Sequence, residues 1–211
     1  MVFDRPIRIT LLGNTGVGKT SLVKLLKGED PVHTEKTMDI NVESRRIKLL
    51  SSLKKSRFSI ERHRYYRITC VDNPGDYKLR RKWREAMRKY KSDGILFMVD
   101  PSQSAEQQKV AMEDSYNYFL DSLSLNPDKA DKKARTKRGI FFFVVNKLDL
   151  INNDKEAAQR FLEENFTTVI DDYKMTFPFS HFGSTHISVH KSPYEDIDSI
   201  FEQMKIFLYG E

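Results

Sequence analysis

Four short apolar runs recur along the chain: Ile7 to Leu12, Ile68 to Val71, Ile95 to Val99 and Ile140 to Val145, each rich in β-branched or aromatic side chains. Their length predicts strands. The runs from Ile95 and Ile140 show no polar alternation, the pattern of strands buried on both faces of a parallel sheet. Helix-like segments lie between them, near Lys19 to Lys27, Leu79 to Tyr90, Ala105 to Ser122, Lys155 to Ile170 and Pro193 to Phe207. Strand followed by helix, repeated, predicts a doubly wound α/β sheet. Ser104 with Gln107, and Ser192 with Pro193 and Glu195, mark helix starts, whereas Asn126-Pro127-Asp128 and Arg138-Gly139 bracket what reads as a charged, exposed loop. No repeat or linker divides the sequence, so residues 1–211 read as one domain.

Composition agrees with a folded core: 39% of the 211 residues are hydrophobic, with only 9 Gly and 7 Pro. The single cysteine, Cys70, cannot close an internal disulfide, which points to a reducing compartment. No apolar run reaches the roughly 18 to 20 residues that span a bilayer, and the first residues lack the apolar stretch of a signal peptide. Val2 stands where myristoylation needs Gly, and the last residues hold no Cys for a prenyl group, so the expectation is a cytoplasmic protein without a covalent lipid anchor.

The net charge of +6 conceals segregation. Between residues 45 and 67, Arg45, Arg46, Lys48, Lys54, Lys55, Arg57, Arg62, Arg64 and Arg67 face only Glu61. Between 78 and 91, Lys78, Arg80, Arg81, Lys82, Arg84, Arg88, Lys89 and Lys91 face only Glu85. Charge runs are usually solvated faces, but a polyanionic partner (a membrane surface, RNA or an acidic protein) is the functional alternative.

Two motifs carry chemistry outright. Straight after the first apolar run comes Gly13-Asn14-Thr15-Gly16-Val17-Gly18-Lys19-Thr20, followed by Ser21 and an amphipathic segment. This is the pattern whose backbone N–H groups wrap a phosphate chain, with Lys19 charging the outer phosphates and the Thr20 hydroxyl ligating Mg²⁺. After the last apolar run comes Asn146-Lys147-Leu148-Asp149. The Asp149 carboxylate can accept from both N1–H and the 2-amino group of guanine, a pair of donors adenine lacks, while the Lys147 stem lies along the ring.

With these motifs in place the chain resembles the Ras-like small GTPases, a superfamily of P-loop NTPases. Asp72-Asn73-Pro74-Gly75 matches that family's D-x-x-G. The resemblance implies that Asp72 holds Mg²⁺ through water and that the Gly75 N–H faces the γ-phosphate. Thr37-Met38-Asp39-Ile40-Asn41-Val42-Glu43 is similar to the switch I stretch of Arf-like, signal-recognition-particle-receptor-β-like and Roco-type G domains, which makes Thr37 the second hydroxyl ligand; Thr34 is its rival. Ser188-Val189-His190 is the best match for the short loop that contacts the guanine oxygen, with His190 in place of the family's Lys. The expected fold is a mostly parallel six-stranded sheet flanked by about five helices, with a basic insert at about 44–65 that has room for an extended β-hairpin.

Departures from the family shape the functional expectation. Asp76 occupies the position of the water-orienting Gln, and Glu29 to Lys36 contains no Arg. Both predict slow GTP hydrolysis, with Asp76, Lys19 and Thr37 as the residues at the reacting phosphate and with help from a protein partner. Ligands are therefore GTP, GDP and Mg²⁺, and protein effectors and regulators are expected partners. One rival is a scaffold that holds GTP without turnover. The other is a nucleotide kinase, which the Asn146-Lys147-Leu148-Asp149 motif opposes.

Overall fold

The two uninterrupted apolar runs form the middle of a six-stranded sheet. In a computed structural model that describes residues 4–31, 35–55, 58–124, 127–136, 139–189 and 194–210, they become β4 (Gly94–Val99) and β5 (Ile140–Val145), with every residue buried. For residues 49–55, 58–64, 127, 136 and 194–197 the description extends to the backbone only. The remaining strands are β1 (Arg5–Leu12), β2 (Asn41–Lys55), β3 (Phe58–Asp72) and β6 (His181–His186). Their order is β2-β3-β1-β4-β5-β6, all neighbours parallel except the β2–β3 pair.

Alternation along the strands assigns the two faces. Ile7, Ile9 and Leu11 of β1 and Ile140, Phe142 and Val144 of β5 join a core with α1 (Lys19–Lys27) and α6 (Tyr194–Tyr209). Phe141, Phe143 and Val145 turn the other way, toward α2 (Arg81–Tyr90), α3 (Ala105–Leu123) and α5 (Lys155–Thr176). The starts of α3 and α5 follow the capping rule. Ser104 Oγ accepts from Gln107 N, and Asp154 accepts from Ala157 N, each cap contributing about 1 kcal/mol.

Three segments differ from their sequence reading. The charged stretch after Asn126 is a sixth helix, α4 (Pro127–Thr136), rather than a loop. Ala130 and Ala134, one turn apart, are buried against α3, and two small side chains suffice to seat a helix whose other described side chains are exposed. Helix α5 continues past Ile170 to Thr176, because Leu162, Phe166, Val169 and Tyr173 extend one buried stripe. The last strand is His181–His186, ahead of the expected Thr185 to Ser188, and Ser188 stands just beyond its end. The expected hairpin is present: β2 and β3 pair from Asn41↔Asp72 to Lys55↔Phe58, whereas β1 covers β3 only from Tyr66 onward. The outer half of the hairpin is thus a two-stranded ribbon beyond the sheet. Among the described residues no helix is long and apolar enough to cross a membrane.

Candidate nucleotide-binding site

β1, β3, β4 and β5 end on one edge of the sheet, and each is followed there by a polar loop. Such an edge is where open α/β sheets bind ligands. The first loop, Gly13 to Gly18, runs directly into α1, and its Gly18 cap offers the helix amides no side-chain acceptor, which suits an anionic ligand. Gly18 has φ 99°, and a Cβ there would collide with the Asn146 side chain. Gly75 lies so close to the backbone of Asn14 and Thr15 that it too admits no side chain. Glycine at 75 therefore sets how near the D-x-x-G segment approaches the loop.

Lys19 is buried and bends back over the loop, donating from Nζ to the carbonyls of Gly13 and Asn14, each at 2.8 Å. Burial pulls its ammonium down to about 8, with the charge of Asp72 opposing and that of Arg80 reinforcing the shift. A polyphosphate would give this cation anionic acceptors in place of the two carbonyls. Beside it, three oxygens from three distant segments converge. Thr20 Oγ1 donates to Asp72 Oδ2 at 2.7 Å and lies 2.8 Å from Thr37 Oγ1, which itself reaches Asp72 Oδ2 at 3.4 Å. Asp72 Oδ1 is buried with no hydrogen-bond partner among the described residues. Burial also pushes the Asp72 carboxyl above the usual range, against the Thr20 hydrogen bond and the Lys19 charge. Two hydroxyls, one carboxylate and adjacent phosphate space form the hard-oxygen donor set that suits Mg²⁺. Of the two rival threonines, the structure puts Thr37 in this cluster; Thr34 lies outside the described residues.

The other end of the site is assembled by Asn146. Its Nδ2 donates to Val17 O at 2.8 Å and its Oδ1 accepts from Val189 N at 3.0 Å, so one side chain ties the phosphate loop to the segment after β6. Ser188 Oγ donates to Asp149 Oδ1 at 2.6 Å. Ser188 and Val189 thus meet Asp149 and Asn146, whereas His190 lies outside the described residues. Lys147 takes a left-handed backbone, φ 62°, and its Nζ pairs with Asp100 Oδ2 at 2.6 Å.

A cavity of about 340 Å³ joins the two ends, lined by Thr15, Gly16, Gly18 to Ser21, Glu35, Lys36, Thr37, Gly75, Asn146 and Lys147. A larger one, about 730 Å³, opens beside it between the start of α2 and α3 and shares Thr15 and Gly75 with it. We assign the nucleotide to the smaller cavity, because the loop glycines, Lys19 and the Thr20 hydroxyl border that one.

Further contacts shape the rim of the site. Asp76 is not an isolated anion: its Oδ2 pairs with Lys36 Nζ at 2.7 Å and its Oδ1 accepts from Lys78 N. The Lys36 hydrogen bond holds its carboxyl below the usual range, which makes it a weak base. Arg80, counted with the surface charges, is buried; it donates to Asn14 Oδ1 at 2.9 Å and pairs with Asp114 of α3 at 2.6 Å, bracing the phosphate loop from behind. Gln103 Nε2 donates to Thr15 O at 3.0 Å. Asp100 could have been suspected from its place at the end of β4, but nothing in the sequence announces Lys36, Arg80 or Gln103.

The second basic cluster is also more neutral than its count. Lys82 pairs with Asp39 and Arg84 lies 3.7 Å from Asp121. Trp83 is fully buried and donates from Nε1 to Pro74 O at 2.7 Å, so α2 is fastened to the D-x-x-G segment. The side chains of Lys54, Lys55, Arg57, Arg62 and Arg64 lie outside the described residues. Cys70 is buried, and burial pushes its thiol up to about 12, the behaviour of an inert core thiol.

A model of one protein family, the signal recognition particle receptor beta subunit, matches residues 5–175, from β1 through nearly all of α5.

Proposed function

The chain belongs to the signal recognition particle receptor beta family of small GTPases and is a GTP-binding protein of that fold; on this premise we propose that it is a Mg²⁺-dependent switch that hydrolyses GTP slowly. The observation that carries the reading is the convergence of Thr20, Thr37 and Asp72, because it joins the segment ahead of β2 to the start of α1 and the end of β3 through two hydroxyls and one carboxylate. A ligand that engages Thr37 orders residues 35–40, and its loss releases them.

In this reading the Gly13 to Gly18 amides and Lys19 hold the phosphates, and Asp149, steadied by Ser188, reads N1–H and the 2-amino group of guanine. Asn146 keeps the two ends in register, and Ser21 closes the floor of the cavity. Mg²⁺, bound by Thr20 and Thr37 with Asp72 acting through water, would neutralise charge on the β- and γ-phosphates. Hydrolysis is slow because position 76 holds the shorter Asp rather than a glutamine that could orient the attacking water. Protein regulators and effectors are read onto the surface formed by residues 35–40 and 76–91, and the projecting β2–β3 ribbon is read as a contact for an acidic or polyanionic partner.

Measuring phosphate release from GTP over many hours tests this reading. The expected rate constant is on the order of 10⁻³ s⁻¹ or below, abolished by chelating Mg²⁺. A protein that binds GTP tightly yet releases no phosphate would instead be a GTP-holding scaffold.

A further inference from the structure

Lys36 ends a segment that contains no arginine, yet the fold gives it a defined place. Its side chain lines the 340 Å³ cavity together with Lys19, Thr20, Thr37 and Gly75, the residues around the outer-phosphate end. Its neighbour Thr37 sits in the Thr20–Asp72 cluster, and consecutive Cα atoms are about 3.8 Å apart, so ordering Thr37 confines the Lys36 backbone to the same corner. From the opposite side, Asp76 Oδ2 holds Lys36 Nζ at 2.7 Å, while Asp76 Oδ1 is fixed by Lys78 N. The two segments, which Lys82 also joins through Asp39 and the Met38 carbonyl, thus hold one cation at the wall of this cavity. We propose that Lys36 is a cation supplied by the chain itself to the γ-phosphate, and that Asp76 is the residue that positions it.

The magnitudes favour this role over a merely structural bridge. The side chain of Lys36 is 47% exposed and that of Asp76 is 23% exposed. A pair of that kind contributes about 0–1 kcal/mol to stability, a weak reason to join two loops. A cation placed on the transferring phosphoryl group acts where charge builds up in the transition state, and arginine in that role accelerates hydrolysis by about 10³-fold or more. Lysine is a point charge rather than a planar fork, so a smaller factor, about 10- to 100-fold, is expected. Its ammonium carries three donors, so it can keep Asp76 and still reach a γ-phosphate oxygen. The same pairing removes the repulsion that a lone Asp76 would exert on that phosphate. In the step itself the water oxygen bonds to the γ-phosphorus. The bond from that phosphorus to the bridging oxygen breaks with its electron pair left on GDP, and the water proton leaves with phosphate or passes to solvent.

The inference rests on the hydrolysing reading above, and its test separates the two. The full chain, with Mg²⁺ and GDP, is titrated with aluminium fluoride, a planar mimic of the transferring phosphoryl group, using the fluorescence of Trp83, the single tryptophan, which is anchored beside the site. The parent should form the complex with no added protein. Lys36→Ala should weaken aluminium fluoride binding at least about tenfold and slow single-turnover GTP hydrolysis about 10- to 100-fold, with GDP affinity within about threefold of the parent. Lys36→Arg should retain both activities. Asp76→Asn, which preserves the acceptor for Lys78 N, should fall between parent and Lys36→Ala. If Lys36→Ala binds aluminium fluoride and hydrolyses GTP like the parent, or loses GDP affinity in the same proportion, the inference is wrong. A parent that binds GDP but not aluminium fluoride overturns this inference and leaves nucleotide binding standing; a parent that binds no guanine nucleotide overturns the earlier reading as well.

Discussion

Asp149→Asn exchanges one carboxylate oxygen for an NH₂ group at the base end of the site, and the neighbourhood determines which way the new amide points. Ser188 Oγ donates to Asp149 Oδ1 at 2.6 Å, so an asparagine keeps its carbonyl oxygen on Ser188 and turns its NH₂ toward the base. Against guanine this replaces a charge-assisted hydrogen bond, worth about 1.5–3 kcal/mol, with two donors face to face, which costs about 1–3 kcal/mol more. The total of about 3–6 kcal/mol corresponds to a loss of about 10²- to 10⁴-fold in GTP affinity. Xanthosine triphosphate presents an oxygen at the same position and accepts from the new NH₂, so its affinity should rise as that of GTP falls. Competition of both nucleotides against a fluorescent analogue, with the melting temperature recorded to show that the variant folds, measures the effect. Unchanged preference for GTP over xanthosine triphosphate in a folded variant would refute the assignment of Asp149 to the base.

Lys19→Ala should weaken GTP and GDP alike, whereas Thr20→Ala should raise the Mg²⁺ concentration needed for tight binding and leave guanine preference intact; calorimetry across a Mg²⁺ series distinguishes them. The empty-site Lys19 titrates at about 8 and bound phosphates raise that value, so nucleotide affinity should be flat below pH 8 and fall above it, by up to about tenfold per pH unit. By the same linkage the nucleotide-free protein binds fewer protons at Lys19 than its unfolded chain between pH 8 and the ordinary lysine range. That contribution to stability should therefore increase with pH across the same window, which denaturation at several pH values would reveal. Arg80→Met should destabilise the fold by about 2 kcal/mol, at the low end for a broken buried pair because the Asp114 side chain is 36% exposed, and calorimetric melting should show a fall of several degrees.

Much of this was legible from the chain because the informative positions are constrained locally. β4 and β5 read as strands since burial on both faces leaves no room for polar alternation, and the phosphate loop announces itself through glycines that the backbone geometry demands. Helix α4 escaped notice because only Ala130 and Ala134 face α3, too little apolar signal against Lys and Asp on every other side. The Lys36–Asp76 pair and the Arg80 buttress escaped for a different reason. Each joins residues 34 to 66 positions apart, and a lysine or arginine in a charged run looks the same whether it is solvated or held across the site.

The account's central claim is that Asp149 and the phosphate loop together select a guanine nucleotide. Titrating nucleotide-stripped protein with GTP and with ATP in the presence of Mg²⁺ tests it most directly. Adenine offers neither N1–H nor a 2-amino group to the Asp149 carboxylate, and a site built around such donors rejects a ligand that lacks them by about 10³-fold or more. Tight GTP binding with ATP weaker by that factor is the predicted result; equal affinity for the two, or no binding of either, would contradict it.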